Sequence, residues 1–496
     1  MKKTALTLII AALTASYGIA AEPVDVIPAP QSVQLTGRKA AAAAAKNCTV
    51  KTDGKMGAEA YELKIKARGV EITAGSPAGE FYARQTLEQL ADNLGYLPVG
   101  IIKDSPRFEW RGFMLDESRH FLGEEYVLKT LDLMARYKFN KFHWHLTDSE
   151  SWRLEIKKYP LLTEVGGKGC KTDPNAPARF YTQEQIRKIV AYAAERHIEV
   201  IPEFDMPGHA TAACRAYPYL SGGKHPKYPD FTFNVGSERT YEFISDVLDE
   251  IFELFPSKYI HIGGDEVTYG NSCWSENEDI CKLMEREGLQ NHRQVEGWFH
   301  KKVAEIVELK GHKLIAWDDV MEGGVMAEGE TVMWWRHERP DHLSASLDGG
   351  IKTILTPRRP LYMDFVQYPG HTQGRNKWGK DYVCCTVKDI YEFPEVNVSG
   401  VEMTPERLQN VLGIQGNLWT ETVNTSQRAD YMLWPRLCAI AESGWTPVES
   451  KDYSSFEKRL LSALKYLQVK GVNFFDLNNP SSSPEPPVAS KPVVAD

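Results

Sequence analysis

The chain has 496 residues, of which 42% are hydrophobic and 25% charged, and it carries a net charge of -9. That composition is ordinary for a soluble globular protein, and the length suits a barrel plus a smaller domain. An acidic balance with scattered Lys and Arg excludes nucleic acid as the expected partner.

The first residues read as a targeting segment. Lys2 and Lys3 precede an apolar run from Ala5 to about Ala15, and Gly18-Ile-Ala20 supplies small residues for cleavage. Residues 1–21 are therefore set aside as a signal peptide, and the mature chain is expected to be periplasmic or secreted. The apolar run is short for a membrane span. Eight Cys in an exported chain permit disulfides, but no paired C-x-x-C zinc spacing occurs. Cys170 and Cys273 both follow predicted strands and form a candidate pair.

Residues 22–105 read as a small α+β domain. Tyr61–Ala67 and Val70–Ala74 alternate apolar and polar residues around Arg68-Gly69, which predicts a hairpin. Ser76 is placed to cap a helix from about Pro77 to Asn93. The Ala-rich stretch from Ala40 to Ala45 has no clear meaning.

Residues 106–446 change to strand, loop, helix, repeated. Predicted strands are Trp110–Leu115, Lys141–Leu146, Ile198–Phe204, Tyr259–Ile262, Lys313–Trp317, Thr331–Trp335, Lys352–Leu355 and Leu412–Gly416. Helical patterns fall between most of them, at Glu124–Tyr137, Thr182–Arg196, Glu238–Phe255 and His292–Lys310. Eight such units predict an α/β fold, a (β/α)8 TIM barrel. A poorly periodic insertion runs from Gln367 to Val401. Ala429–Ser443 is expected to close the barrel. Residues 447–478 read as a helical extension packed on it, with a helix at Phe456–Leu467. Residues 479–496 are rich in Pro and Ser and are expected to be disordered.

The predicted strand ends carry polar groups that a core would not want. They are Asp116 and Arg119; His143, His145 and Asp148; Glu203, Asp205 and His209; His261, Asp265 and Glu266; Trp317, Asp318 and Asp319; Trp334 and Trp335; Tyr362 and Asp364; Trp419 and Glu421. A barrel builds its pocket at this rim. Two chemistries compete there. His143, His145, His209 and Asp265 could ligate a metal, as in barrel metal hydrolases. Paired carboxylates, an Arg and several Trp suit glycoside hydrolysis instead. In that reading an ionised Asp265 keeps the adjacent Glu266 protonated as a general acid. No metal and no cofactor are expected.

Four stretches carry a resemblance. Arg111-Gly-Phe-Met-Leu-Asp-Glu-Ser-Arg-His-Phe121, His143-Trp-His-Leu-Thr-Asp148, Pro202-Glu-Phe-Asp-Met-Pro-Gly-His209 and His261-Ile-Gly-Gly-Asp-Glu266 resemble family 20 glycoside hydrolases, the β-N-acetylhexosaminidases, in order and context. The resemblance covers roughly residues 23–475. It implies an exo-acting, retaining enzyme on glycans with a terminal β-linked N-acetylhexosamine, working through the substrate's own acetamido group. Glu266 is then the general acid and base, and Asp265 holds the acetamido N–H. Tyr362 donates to the acetamido oxygen, and Trp317, Trp335 and Trp419 wall its methyl group. Arg119 takes O3 and O4, Asp364 and Glu421 take O4 and O6, and Asp148 and His209 form a supporting pair. A disaccharide-releasing enzyme of lacto-N-biosidase type and a non-catalytic glycan-binding barrel are the alternatives. The oligomeric state does not follow from the sequence. The insertion departs from the family pattern and is free to shape the leaving-group side.

Overall fold

The computed structural model describes residues 24–488 apart from 325, 327, 328 and 397. The expected signal peptide lies outside the described residues. Among the described residues no helix is long and apolar enough to cross a membrane.

The N-terminal sheet has five strands: β1 (Ser32–Ala41), β2 (Cys48–Thr52), β3 (Tyr61–Lys66), β4 (Gly69–Ala74) and β5 (Tyr96–Asp104), in the order β1-β5-β3-β4-β2. β3 and β4 form the expected antiparallel hairpin. Their alternation buries Tyr61, Leu63 and Ile65 on one strand and Val70, Ile72 and Ala74 on the other. The helix Pro77–Leu94 covers that face, and the Ser76 hydroxyl accepts from the Ala78 amide at 3.1 Å, as an N-cap does. The Ala-rich stretch finishes β1 and makes the short helical turn Ala42–Lys46.

Asp104, at the end of β5, ties this domain to the remainder of the chain. It accepts from Tyr61, from Lys138 Nζ at 2.9 Å and from Trp445 Nε1 at 2.9 Å. All four residues are buried. Such a charge must be paired to be tolerated there.

The second unit is a closed barrel. Its strands are β6 (Trp110–Asp116), β7 (Lys141–His145), β8 (Glu199–Glu203), β9 (Tyr259–His261), β10 (Lys313–Trp317), β11 (Thr331–Trp334) and β12 (Lys352–Leu355). A two-residue hairpin, β13 (Lys377–Trp378) with β14 (Asp381–Tyr382), interrupts the sequence before β15 (Val411–Leu418) closes the ring between β12 and β6. Each neighbouring pair is parallel. Helices such as Glu124–Arg136, Gln183–Ala194, Glu238–Leu254 and His292–Leu309 come after their strands. Strand alternation sorts the side chains: Trp144 and Trp334 face the strand–helix layer, whereas Trp317 and Trp335 belong to the interior cluster.

Two expectations need correction. The closing helix is not continuous from Ala429 to Ser443. It is two helices, Ser426–Leu433 and Arg436–Trp445, separated at Pro435. Proline offers no N–H and clashes with the preceding turn, so the helix breaks there. The Pro/Ser-rich tail is also packed as far as Val488. The Glu485 carboxylate accepts from the Thr372 and Gln373 amides at 2.8 and 3.1 Å, and Arg428 Nη1 donates to the Pro486 carbonyl at 2.6 Å. Composition ruled out a core for this segment but not its docking on another part of the chain. Residues 489–496 lie outside the described residues.

Candidate active site

β9 ends at His261, and the chain leaves it through Gly263 and Gly264, with φ of 68° and 90°. A Cβ on Gly263 would lie 1.7 Å from Asp205 Oδ1, so only glycine fits this exit. Glu266 itself takes φ 51°. The tight turn presents Asp265 and Glu266 side by side at the mouth of a cavity of about 630 Å³. Arg119, Asp148, His209, Trp335, Tyr362, Trp419 and Glu421 line the same cavity.

A chain of polar contacts rises from the barrel interior to the two acids. Glu203 lies 2.8 Å from His143, 2.6 Å from His145 and 3.1 Å from His261, and it accepts from Trp317 Nε1 at 2.9 Å. His145 Nε2 contacts Asp148 at 2.8 Å, and Asp148 in turn contacts Arg119 Nη2 at 2.8 Å and His209 Nδ1 at 2.9 Å. His209 Nε2 then faces Asp265 at 3.7 Å and Glu266 at 3.6 Å. Burial alone would lower both His145 and His209, but the carboxylates beside them hold each well above the usual imidazole value. Burial would raise Asp148, yet Arg119 and His209 hold it well below the usual carboxylate range. His209 is thus a buried cation aimed at the acid pair.

The two acids sit in the shared field of His209. Burial, with the neighbouring charges of Glu266, Glu203 and Asp148, pushes Asp265 up to about 7 against the pull of His209. Burial would also raise Glu266, but the charges of His209, Arg119 and Arg375 hold it below the usual value. Adjacency makes the two titrate as a pair, and the charge of His209 lowers both.

Asp265 Oδ1 is buried and has no hydrogen-bond partner among the described residues. Around the acids stands an aromatic enclosure. Trp335 stacks on Tyr362 with 6.2 Å between ring centroids and a 10° interplanar angle, and Trp419 lies 6.1 Å from Tyr362. Trp335 is braced from below, its Nε1 donating to Asp319 Oδ2 at 2.7 Å and its backbone amide to Asp318 at 2.8 Å. Trp317 lies behind this lining, 5.9 Å from Trp419, so it underpins the enclosure instead of forming an open wall. The Arg119 guanidinium sits over Trp419 at 4.9 Å.

At another edge of the cavity Asp364 and Glu421 face a cation that sequence reasoning missed. Arg375 Nε is 3.1 Å from Asp364 and its Nη2 is 3.3 Å from Glu421. Asp364 is almost fully buried; burial and Glu421 push it up to about 6 against the pull of Arg375. Burial would raise Glu421 too, but Arg119, Arg375 and Lys171 hold it below the usual value. Arg375 comes from the insertion, which carries no motif that singles it out. That segment lines the cavity with Lys377 as well, and through Arg375 it reaches the two acids assigned to O4 and O6. Glu150 and Lys171, 3.3 Å apart beside Arg119, were likewise not anticipated.

Three sets of ligating atoms lie within 4.8 Å of one another and could hold a cation by spacing: His143, Glu203 and His261; His145, Asp148 and Asp205; Asp205, His209 and Asp265. The metal alternative needs His143, His145, His209 and Asp265 around one point. The structure divides those four among the three sets, and the imidazoles are turned onto carboxylates. The expected Cys170–Cys273 pair is not formed. Both are free thiols: Cys273 Sγ donates to the Gly270 carbonyl at 2.9 Å, and Cys170 Sγ lies 3.7 Å from the Thr172 hydroxyl.

Fold and site together define a closed (β/α)8 barrel with a small α+β companion domain and an acid pair in an aromatic-lined cavity at its rim. Residues 108–448 match the glycosyl hydrolase family 20 catalytic domain and residues 31–105 match domain 2 of that family, so the chain belongs to glycosyl hydrolase family 20. A β-hexosaminidase of Porphyromonas gingivalis is 40% identical over 434 residues, covering 84% of this chain and 54% of that protein. The chain thus spans about half the length of that relative. A β-hexosaminidase of Akkermansia muciniphila is 30% identical, with 84% and 85% of the two chains covered. The solved structure of a family 20 exo-β-N-acetylglucosaminidase from Vibrio harveyi, in complex with N-acetylglucosamine, superposes with a TM-score of 0.81 at 31% identity, covering 92% of this chain and 79% of that one.

Proposed function

We propose that the protein is a retaining exo-β-N-acetylhexosaminidase that removes terminal β-linked GlcNAc or GalNAc by substrate-assisted catalysis. The observation that carries this is the buried, unpartnered Asp265 Oδ1 beside Glu266 at the mouth of the Trp335–Tyr362–Trp419 enclosure. An acceptor left without a donor in a desolvated site costs stability unless a ligand satisfies it. An acetamido N–H is such a donor.

In this reading the acetamido carbonyl oxygen attacks C1 while the glycosidic C–O bond breaks and Glu266 passes a proton to the leaving oxygen. Donation of the N–H to Asp265, and the positive charge that develops on the acetamido group as it attacks, favour the ionised form of Asp265. The shared proton then belongs on Glu266, where the leaving group needs it. Water next attacks C1, Glu266 takes its proton, and the ring reopens with retained configuration. The aromatic enclosure excludes water and aligns the attacking oxygen. Arg119 and Glu421 close the pocket around the terminal sugar, with Asp364 just behind them. This supports removal of one sugar over release of a disaccharide, and the acid pair supports catalysis over simple glycan binding. Export to the periplasm or the medium is proposed on the N-terminal pattern alone.

The test compares aryl β-glycosides. The N-acetylglucosaminide should be turned over and inhibited strongly by its thiazoline analogue, which resembles the intermediate. The glucoside, with a 2-hydroxyl, should be nearly inert. Efficient turnover of the glucoside would refute substrate assistance.

A further inference from the structure

The packed tail and the missed cation belong to one assembly. The loop carrying Arg375 is held on three sides. The Glu485 carboxylate accepts from the Thr372 and Gln373 amides and lies 3.5 Å from His371. Arg428 donates to three carbonyls: Pro486 in the tail at 2.6 Å, Gln373 in the loop at 2.7 Å, and Thr422, next to Glu421, at 2.8 Å. The Tyr431 hydroxyl donates to the Ser483 carbonyl at 3.1 Å, and His371 packs on Phe475 and Tyr431. Between Gln373 and Arg375 stands Gly374, with φ 124°, where a Cβ would come 2.7 Å from Arg428 Nη2. The loop therefore tracks Arg428 closely and delivers Arg375 to its two carboxylates.

We propose that the C-terminal segment Ser483–Val488 is a strap that holds the insertion loop in place, and that Arg375, so held, is a positioning residue fixing Asp364 and Glu421 for the terminal sugar. The inference rests on the exo-hexosaminidase reading. Its physical content is preorganisation. Two buried carboxylates without their shared cation would repel each other, and both would lose the orientation that hydroxyl recognition requires. Arg375 is not a reacting group, so its loss acts on sugar binding more than on bond breaking.

The test uses the full chain and three variants: a deletion of residues 480–496, Glu485→Ala, and Arg375→Ala. Each is assayed with aryl β-GlcNAc and aryl β-GalNAc, and each is melted as a check on folding. The deletion and Glu485→Ala should raise KM for the GlcNAc substrate about tenfold with kcat within about twofold, and should change the GlcNAc-to-GalNAc ratio. Combining the deletion with Arg375→Ala should add nothing further to the loss from Arg375→Ala alone, because both act through one contact. Unchanged KM in the deletion would overturn the proposal. So would independent, additive losses, or a parallel fall of kcat with a lowered melting point. Absence of turnover by the unmodified chain would instead count against the hexosaminidase reading itself.

Discussion

His209 Nδ1 lies 2.9 Å from Asp148 Oδ1, and both residues are buried. This contact converts a charge deep in the barrel wall into a cation facing the acid pair. The raised value of His209 gives stability that is present below about pH 6.5 and is lost as pH rises through the folded value. The depressed value of Asp148 gives stability present above about pH 3.9 and lost as pH falls through its folded value.

Asp148→Asn should therefore cost more than stability. Arg119 loses a charged partner, His209 loses the charge that keeps it protonated, and Glu266 loses the cation that holds its proton affinity down. The expected result is a fall in kcat/KM of about tenfold to a hundredfold, together with a basic limb of the pH profile moved to higher pH. A fall in rate with an unmoved limb would show that Asp148 only braces Arg119.

The acid pair makes a second prediction. The productive free form carries one proton over Asp265 and Glu266, and that proton is lost near the value of about 7 to which Asp265 is pushed. As a carboxyl raised above its ordinary value, Asp265 costs stability as pH rises through that range. The kcat/KM profile, which reports the free enzyme, should fall above about pH 7. In Asp265→Asn the like charge beside Glu266 is gone while His209 remains, so the basic limb should move to lower pH. That variant should also lose roughly two orders of kcat on every substrate, because the charge opposite the intermediate is missing. Glu266→Gln should hurt substrates with poor leaving groups most and activated aryl glycosides less. Equal leaving-group dependence in the two variants would mean that the roles are wrongly divided.

How far these features were legible depends on their range in the chain. Buried barrel strands read as short apolar runs because both faces are covered, and their glycine-rich exits mark the strand ends. Hence Asp265, Glu266 and the rim residues were visible from local pattern. β1, β2 and β5 were not. β2, at the sheet edge, is mostly exposed, and the burial of β1 does not alternate. The cation beside the pair was hidden as well, because His209 reaches it only through the folded β8 exit. Arg375 was hidden for a similar reason. Its meaning depends on contacts with Asp364, Glu421 and a tail far away in the sequence, and no period or spacing encodes those.

The last prediction concerns Asp364. The stretch from Tyr362 runs beside β15, with the Met363 amide donating to the Asn417 carbonyl at 2.7 Å, so Tyr362 and Asp364 fall on one side of an extended segment. Tyr362 lines the cavity, and Asp364 lies just behind the lining with Arg375 across it. A 6-hydroxyl can donate to this carboxylate. A 6-sulfate cannot, and it brings a like charge into a desolvated site. Arg375 does not relieve the conflict, because its guanidinium is already engaged by Asp364 and Glu421. Unpaired like charges in such a place cost several kcal/mol, on the order of a hundredfold or more in rate. The 6-sulfated aryl GlcNAc should accordingly be a much poorer substrate than aryl GlcNAc. In Asp364→Asn the repulsion is removed and Arg375 is left with one carboxylate fewer to serve, so the gap should narrow from both sides. The measurement is the ratio of kcat/KM for the two substrates in the unmodified chain and in the variant. Equal cleavage by the unmodified chain, or a ratio that the substitution leaves unchanged, would mean that Asp364 braces the loop without reading O6.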